Sequence, residues 1–358
     1  MFTKIWKREN IFWLVIILLV LFRYFSSLPS YKTGQKLRIT SKVLVEPIQY
    51  DDSQYIKLVG IRFYLPKYPE VNYGDNVIVE GIIEDGKLKN PVLINLEENT
   101  GIIYKVRKKL VLFYHRALPE PHASLVSGLV LGSKANIPTE FWDQLISTGT
   151  VHVVVASGMN VTLVAGFLLT MTILILPRQK AVILALVGIW IYALLSGFDA
   201  PIIRAAIMGS LAFSAQALGR VNLAWRALFL SALLMLLVNP SWITDLGFIL
   251  SFVATASLML FEAKIRKLVY FVPAIFREGL STSLAAQIGV TPILLLTFGR
   301  YSFISPFVNA LVLWTVAPIT VIGMTAGIVS IITMPIGKLI LFLTYPLTSW
   351  FIWIVNLF

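Results

Sequence analysis

Long apolar runs separated by short polar loops occupy most of the sequence. The first run covers residues 11–22, and further aromatic and aliphatic residues extend it toward residue 28, near the ~20 residues of a membrane-spanning helix. Eight more runs follow, at about 151–176, 181–196, 202–218, 226–238, 245–261, 280–298, 306–331 and 337–358. The pattern predicts a polytopic α-helical membrane protein with about nine transmembrane segments.

Some of these segments are too short or too interrupted to be simple spans. Residues 226–238 fall short of the spanning length and end at Asn239-Pro240. Further breaks are predicted at four prolines, Pro201, Pro292, Pro306 and Pro318. Backbone freed from a helix at membrane depth must be buried in protein or line a water-filled cavity. We therefore expect some re-entrant or discontinuous helices beside a cavity.

Residues 1–35 are expected to form an N-terminal membrane anchor. The apolar run follows Lys4, Lys7 and Arg8, and no A-x-A-like cleavage site comes after it. Because a secretory signal peptide ends in such a site, we interpret the run as an uncleaved anchor.

Residues 36–101 change character and predict a small β domain. Residues 36–45 and part of 55–64 alternate between polar and apolar side chains, which is typical of strands, and turn residues separate the runs. Two closing strands are expected at 74–81 and 91–94. About five short strands in this length indicate an OB-like barrel.

The surface chemistry of this domain leaves two interpretations open. OB folds often bind oligonucleotides, although a fold does not fix a function. Eight basic and ten acidic residues between positions 36 and 100 argue against a basic patch. Its aromatic side chains could stack on nucleobases, or pack in a core or against the membrane; they are Tyr50, Tyr55, Phe63, Tyr64, Tyr68 and Tyr73.

Residues 102–140 are predicted to be a basic amphipathic segment at the membrane interface. Apolar residues at helical spacing alternate with four cations, Lys105, Arg107, Lys108 and Lys109. Such a helix lies on an anionic lipid surface, or it steers a polyanion toward a pore. The remaining residues, 141–358, are predicted to form the transmembrane domain.

Composition supports the membrane class and limits the available chemistry. Hydrophobic residues make up 57% of the 358 residues, charged residues make up 13%, and the mean hydropathy is +0.81; soluble domains carry roughly 25% charged residues. Cysteine is absent, which excludes disulfides and thiolate metal sites. His115, His122 and His152 lack a ligand spacing such as H-E-x-x-H. We expect no metal site and no cofactor.

Basic residues set the predicted topology. Much of the net charge of +12 lies in short loops, where lysine and arginine determine orientation. With residues 1–10 in the cytoplasm, the inner loops carry twelve basic residues, including Lys338, and the outer short loops carry only Arg204 and Arg300. This bias predicts a multi-pass protein of the cytoplasmic membrane. Its N-terminus is inside, and its β domain and basic helix are outside.

The strongest functional signal is residues 149–160, at the head of a long apolar run. Polar groups at membrane depth are costly and usually face a bundle interior or a water-filled path. On one continuous helix, His152 and Asn160 share a face, while Ser157-Gly158 allows tight helix packing or a local break. We interpret these four residues as lining a pore or substrate path. The alternative is a helix start with His152 in the headgroup layer.

Three further polar residues are assigned to the same path: Arg204, Asp245 and Gln287. Asp199 and Arg204 flank Pro201, and an ion pair between them could brace two helix ends. Arg204 is also the best candidate for a phosphate contact, because a guanidinium binds an oxyanion with two parallel hydrogen bonds.

Four segments, taken in order, resemble the ComEC competence family, the inner-membrane channels for single-stranded DNA uptake in natural transformation. They are Gly128-Leu-Val-Leu-Gly132 with Phe141 and residues 149–158; Gly197 to Arg220, including Pro201 and Arg204; Asn239-Pro240 to Phe252, including Asp245; and Gln287 to Pro318. The resemblance covers nearly the whole chain. Each motif alone is weak, but four in this order are specific.

The resemblance implies a permease whose partners are single-stranded DNA and membrane lipids. It also implies a separate nuclease, a DNA receptor and a cytoplasmic helicase, and it leaves a homo-oligomer open. Asn160 stands where the family usually has a second histidine, and Ile249 where it usually has glutamine. No metallo-β-lactamase-like nuclease domain follows before Phe358, so we expect a channel and not an enzyme.

Two other functions compete with this one. The near-neutral β domain keeps open a transporter of another envelope polyanion or of a lipid-linked glycan. An intramembrane hydrolase is disfavoured, because His152 and Ser157 on one helix would point roughly 140° apart. In addition, Val155 replaces the first glycine of a rhomboid-like G-x-S-G.

Overall fold

The computed structural model describes residues 18–26, 34–50, 52–58, 60–84, 87–134, 137–155, 157–217, 219, 224–299 and 301–358. Of the predicted anchor, the helix at residues 18–26, α1, lies within these ranges, and the greater part lies outside the described residues. The Arg23 side chain donates to the carbonyl oxygen of Leu237. The helix therefore lies beside the end of a later apolar segment.

A mixed β-sheet follows α1. Its strands are β1 (Lys36–Lys42), β2 (Ile48–Gln49), β3 (Ser53–Leu58), β4 (Ile61–Pro66), β5 (Asn76–Glu84) and β6 (Lys87–Glu97). The spatial order is β1-β5-β6-β4-β3-β2. Neighbours are antiparallel except β4 and β6, which pair in parallel at Arg62 and Lys87.

The strands form because their polar and apolar residues alternate. β4 buries Ile61, Phe63 and Leu65 and exposes the residues between them. These side chains share one core with apolar residues of β3 and β5. The two closing strands predicted from the sequence correspond to the β5–β6 hairpin. None of the pairings among the described residues closes the six strands into a barrel, so the OB-like barrel stays a prediction.

Helices make up the rest of the chain. They are α2 (Ile102–Ala117), α3 (His122–Leu131), α4 (Thr139–Ser147), α5 (Val151–Val154), α6 (Gly158–Ile173), α7 (Arg178–Leu195), α8 (Ala200–Ala217), α9 (Ala224–Val238), α10 (Leu246–Leu268), α11 (Ala274–Phe298), α12 (Ser305–Ile332), α13 (Met334–Phe342) and α14 (Tyr345–Leu357). A short 3₁₀ helix at Pro240–Thr244 precedes α10. Each of the eight apolar segments predicted after residue 150 is mainly helical, and the first and the last are each divided between two helices.

Several of these helices can cross a membrane. By length and composition, five stretches qualify among the described residues: Val151–Ile173, α7, α10, α11 and α12. The pair α13 and α14 gives a sixth if it is one span bent by 47°. The chain is thus a helical membrane protein with an N-terminal sheet, and the count of nine spans stays a prediction.

Helices α2 and α3 form a hairpin that packs against the bundle, with one face of α2 exposed; the interfacial location of segment 102–140 stays a prediction. In α3, nine of ten residues are buried. Tyr114 of α2 is fully buried and donates to the carbonyl oxygen of Gly323 in α12 (3.0 Å). The interfacial location was inferred from the lysines and arginines of α2. The next helix, α3, carries none of these, and its apolar side chains join the central core.

Two of the four prolines that predicted breaks lie inside continuous helices. Pro292 is within α11 and Pro318 within α12. Pro201 and Pro306 lie in the first turns of α8 and α12, where the missing N–H would have had no helical partner. The predicted interruption occurs instead just before α6.

A buried ion pair joins the sheet to the helices. Arg107 of α2 is 4% exposed and donates from Nη2 to Glu46 Oε2 (3.0 Å). Its Nη1 donates to the carbonyl oxygens of Leu131 (2.6 Å) and Leu195. Glu46 also accepts from Ser133 Oγ (2.9 Å). Arg107, one of the four predicted steering cations, is therefore not a surface cation but connects the loop after β1 to the ends of α3 and α7.

Candidate functional site

The helix that begins near His152 is broken. Helix α5 ends at Val154, Val155 and Ser157 have extended backbones, and α6 begins at Gly158. A run of β-branched valines loses side-chain freedom in a helix, which favours an interruption here. His152 and Asn160 therefore do not share a face of one helix. The sequence allowed either tight helix packing or a local break at Ser157-Gly158, and the structure has the break.

The break gives the two residues different neighbours. His152 has an exposed side chain, and its Nδ1 donates to the carbonyl oxygen of Gly149 (2.9 Å). Asn160 is fully buried, and its Nδ2 donates to the carbonyl oxygen of Leu129 in α3 (2.9 Å). Its Oδ1 has no hydrogen-bond partner in the described part of the chain. Asn160 therefore joins α6 to α3, and His152 faces outward.

Gly158 allows α6 to approach Arg204 of α8. A Cβ atom at position 158 would lie 2.8 Å from Arg204 Nη2 and 3.3 Å from the Cβ of Ala205. The guanidinium therefore lies against the first residue of α6. The unpaired N–H groups of a helix N-terminus also favour negative charge, so two sources of positive potential coincide.

Neutral groups hold the Arg204 guanidinium. Nε donates to Ser251 Oγ (2.7 Å) and Nη1 donates to Thr255 Oγ1 (2.5 Å), both on α10. The described residues provide no ion-pair partner for it. The Asp199–Arg204 pair considered from the sequence is not formed, because Asp199 lies instead 3.8 Å from Lys134. Arg204 thus keeps its charge without a carboxylate.

A second polar cluster lies between α11 and α12. Asn309 is 1% exposed and donates from Nδ2 to Ser283 Oγ (2.8 Å) and Ser305 Oγ (3.2 Å). Its Oδ1 is unpaired within the described ranges. Ser305 Oγ in turn donates to the carbonyl oxygen of Gly149 (3.4 Å), which His152 also contacts. The first and fourth sequence motifs therefore meet in space.

Gln287 extends this cluster along α11. Its Nε2 donates to Ser283 Oγ (3.4 Å), and its Oε1 accepts from Tyr301 OH (2.6 Å). We call the connected set the polar chain: His152, Gly149, Ser305, Asn309, Ser283, Gln287 and Tyr301. Sequence analysis selected two members of this chain, His152 and Gln287. It missed Asn309 as a site residue, although a carboxamide within an apolar helix was an available signal.

Asp245 lies where the sheet meets α10. Its Oδ2 accepts from Lys57 Nζ of β3 (2.8 Å), and its Oδ1 caps α10 by accepting from the backbone N of Phe248 (3.2 Å). Burial acts to raise the pKa of Asp245. The bonds from Lys57 and from the backbone outweigh burial and hold this pKa below its usual range. Asp245 therefore connects the sheet to the bundle and bonds neither to Arg204 nor to the polar chain.

We expect the Lys57–Asp245 contact to weaken in acid. The folded-state pKa lies below the unfolded value of about 3.9, so the contact stabilises the fold above that pH and is lost as pH falls through the folded pKa. Thermal unfolding of the wild type and of Asp245→Asn, measured between about pH 3 and pH 6, should differ most at the upper end and converge at the lower. A difference that stays constant with pH would contradict this origin.

Three of the predicted steering cations, Lys105, Lys108 and Lys109, are exposed on α2. Lys108 lies 3.8 Å from Glu98, with both side chains largely exposed. Contacts of this kind contribute little to stability. The three lysines are free to face a polyanion or a lipid surface.

The disfavoured intramembrane hydrolase would need His152 and Ser157 to be paired. His152 Nδ1 bonds to Gly149, and no hydrogen bond joins His152 to Ser157 among the described residues. The same ranges contain no group of three His, Asp or Glu side chains that could hold a metal ion. The site offers a guanidinium, hydroxyls and carboxamides, which together can bind an anion.

A comparison with protein families decides the assignment. The family model described as "Competence protein" matches residues 129–358, well over half of the chain. The chain belongs to this family. The matched region contains Arg204, the broken helix and the polar chain, whereas the sheet and α2 precede it. The resemblance of the four sequence motifs to the ComEC competence family is therefore confirmed.

Relatives of this competence protein are similar over its helical part. ComE operon protein 3 of Bacillus subtilis (strain 168) is 32% identical over 222 residues, 61% of this chain and 28% of that protein. An uncharacterized protein of Aquifex aeolicus (strain VF5) is 30% identical over 203 residues, 56% of this chain and 46% of the other. Competence protein ComA of Neisseria gonorrhoeae is 27% identical over 218 residues, 56% and 30% respectively. The chain thus covers less than half of each relative, and no solved structure matches it.

Proposed function

We propose that this competence protein forms a conduit that moves single-stranded DNA across the cytoplasmic membrane during natural transformation. One observation carries the proposal. Arg204 is held within the apolar bundle by hydroxyl groups, lies against the first residue of α6, and has no ion-pair partner among the described residues. Family membership, and a relative named as a competence protein, give this site its context.

A phosphodiester is the ligand that fits this arrangement. Placing a charged side chain at membrane depth costs at least about 2.5–3.5 kcal/mol, so its retention favours a functional role. A phosphodiester carries one negative charge on two free oxygens, which a guanidinium can bind together. The N-terminus of α6 adds positive potential at the same place. We assign the phosphate contact to Arg204, with Ser157 and Gly158 presenting the end of α6.

The polar chain supplies further hydrogen-bonding groups, from the exposed His152 to the buried Asn309. A buried amide oxygen without a partner costs about 1–3 kcal/mol, and Asn309 Oδ1 and Asn160 Oδ1 are both in this state among the described residues. Water or a polar substrate beside these helices would satisfy them. We therefore propose that His152, Asn309 and Gln287 line the path and that Asn160 lies at its edge.

The exposed lysines of α2 are proposed to steer the strand. Lys105, Lys108 and Lys109 lie on the exposed face of α2, the first helix of the hairpin. Contacts between lysine and phosphate release counterions, so binding should weaken as salt increases. Arg107 is left out of this set because it is buried against Glu46.

We place the sheet outside the cytoplasmic membrane, with the N-terminus inside. The charge bias of the loops is one argument. The contacts of the sheet are another, because it touches two regions that the bias also places outside. Lys57 binds Asp245, before α10, and Tyr73 OH donates to the carbonyl oxygen of Leu194, at the end of α7 (3.3 Å).

Cysteine labelling tests this topology, since the chain has no native cysteine. Glu97→Cys on β6 should react with a membrane-impermeant maleimide in intact cells. Lys180→Cys, in the first turn of α7, is the matched control and should react only after lysis. Protection of Glu97→Cys until lysis would reverse the orientation and with it the direction of transport.

The full assembly is also part of the proposal. We retain nine transmembrane segments and an OB-like domain as the architecture of the conduit. A DNA receptor outside, a separate nuclease that yields the single strand, and a cytoplasmic helicase that pulls it are the proposed partners. A passive conduit does not itself receive the DNA, yield the single strand or pull it, so each of these steps needs a partner.

Uptake of labelled single-stranded DNA into proteoliposomes tests the conduit. We expect the wild type to pass the strand. His152→Leu and Asn309→Leu should each lower uptake per folded molecule about tenfold, the equivalent of one lost hydrogen bond. Val312→Ala, a buried apolar residue on the same helix as Asn309, should cost about 2 kcal/mol of stability through lost packing without changing uptake per folded molecule.

Two results would contradict the proposal. Unchanged uptake in both His152→Leu and Asn309→Leu would remove the polar chain from the path. Equal passage of an unrelated envelope polyanion or a lipid-linked glycan, in competition with DNA, would favour the alternative transporter.

A further inference from the structure

A pocket of about 320 Å³ lies where the end of α2 meets the start of α13. It is lined by Phe113, Arg116, Ala117, Met334, Pro335 and Lys338. Arg116 and Lys338 are exposed, and neither has an ion-pair partner among the described residues. The pocket therefore combines two uncompensated positive charges with an apolar wall.

The surroundings of the pocket are those of a surface that contacts lipid. Large apolar side chains next to it point outward: Ile332 is 82% exposed, Leu339 71% and Leu112 45%. A nucleic acid strand would need hydrated surroundings along its length, which these side chains do not provide. An amphiphile with a negatively charged head matches both the two cations and the exposed apolar surface.

The pocket also corrects the charge-based topology. The charge bias places residues 102–116 outside and Lys338 inside, whereas Arg116 and Lys338 line one pocket; we infer that Arg116 lies on the same side as Lys338. Helix α2 has 16 residues and is about 24 Å long, most of the ~30 Å hydrocarbon core. An α2 that starts at the sheet therefore brings Arg116 across toward the side of Lys338.

We propose that this pocket binds an anionic phospholipid. The phosphate lies between Arg116 and Lys338, and an acyl chain follows the apolar wall at Met334. Basic pockets between transmembrane helices on the cytoplasmic side bind anionic head groups in this way. The bound lipid links the tip of the α2–α3 hairpin to α13, and this role is independent of DNA transport.

Native mass spectrometry of the full chain, released from nanodiscs of equal phosphatidylglycerol and phosphatidylcholine, tests the site. Arg116→Gln with Lys338→Gln should reduce retained phosphatidylglycerol about tenfold, since each cation near the head group contributes. Lys264→Gln with Lys267→Gln, the same charge change on exposed residues of α10, should leave retention unchanged. Arg116→Lys with Lys338→Arg, which keeps both charges, should retain most of the lipid.

Three outcomes would overturn the site. Equal loss of phosphatidylglycerol in both glutamine pairs would reduce the effect to general surface charge. Displacement of the lipid by inorganic phosphate would show that the pocket recognises phosphate without an acyl chain. If the Arg116→Gln, Lys338→Gln variant, and not the control pair, lost oligothymidylate binding while lipid retention stayed unchanged, the pocket would be assigned to nucleic acid.

Discussion

Replacing Arg204 by glutamine should lower uptake of single-stranded DNA about 30-fold while the protein stays folded. A charge-assisted hydrogen bond to phosphate contributes about 1.5–3 kcal/mol, and glutamine keeps a donor but loses the charge. Removing a charge from the apolar bundle also removes its desolvation cost, so stability should not fall. Uptake per folded molecule in proteoliposomes measures the effect, and the salt dependence of uptake should become shallower.

A matched variant separates phosphate binding from a bracing role of Arg204. Ser251→Ala with Thr255→Val removes both hydroxyls that hold the guanidinium but leaves its charge in place. If Arg204 only fixes α8 to α10, this pair should reproduce the loss seen in Arg204→Gln. We expect the Ser251→Ala, Thr255→Val variant instead to retain most of the uptake. Uptake by Arg204→Lys should lie between those of the wild type and Arg204→Gln, because lysine cannot bind two oxygens in parallel.

The sequence was sufficient to locate the elements of this fold because each follows from a local period. Alternation at residues 61–65 gives β4, and long apolar runs give α10 and α12, regardless of their partners. Polar residues within such runs were also visible, which is how Arg204 and His152 were selected. Local patterns therefore located both the architecture and part of the site.

The rest depended on contacts between distant residues. The buried face of α2 could not be recognised, because Arg107 meets Glu46 from the sheet and the carbonyl oxygens at the ends of two other helices. Asn309 is recognisable as a site residue only in the folded chain, where Ser283 of α11 lies beside it. Periodicity shows which positions are apolar, but it does not show which charge in one segment neutralises a charge in another.

The largest loss of stability is expected from Arg107→Leu. The substitution leaves the Glu46 carboxylate, whose side chain is 14% exposed, without its cation, and the carbonyl oxygens of Leu131 and Leu195 without their donor. Breaking a buried pair by removing one partner costs about 3–5 kcal/mol. Thermal unfolding in nanodiscs should show this loss, together with faster proteolysis between the sheet and α2.

Two comparisons identify the ion pair as the cause. Glu46→Leu combined with Arg107→Leu should be less destabilising than the sum of the single changes, because neither charge is then left unpaired. Lys108→Leu, on the next residue, removes a cation that is 58% exposed and 3.8 Å from Glu98, and should cost less than about 1 kcal/mol. Suppose that Arg107→Leu destabilises the fold as little as Lys108→Leu does but still reduces uptake. The charge of Arg107 would then act on the substrate and not on the fold, and Arg107 would belong with the steering cations.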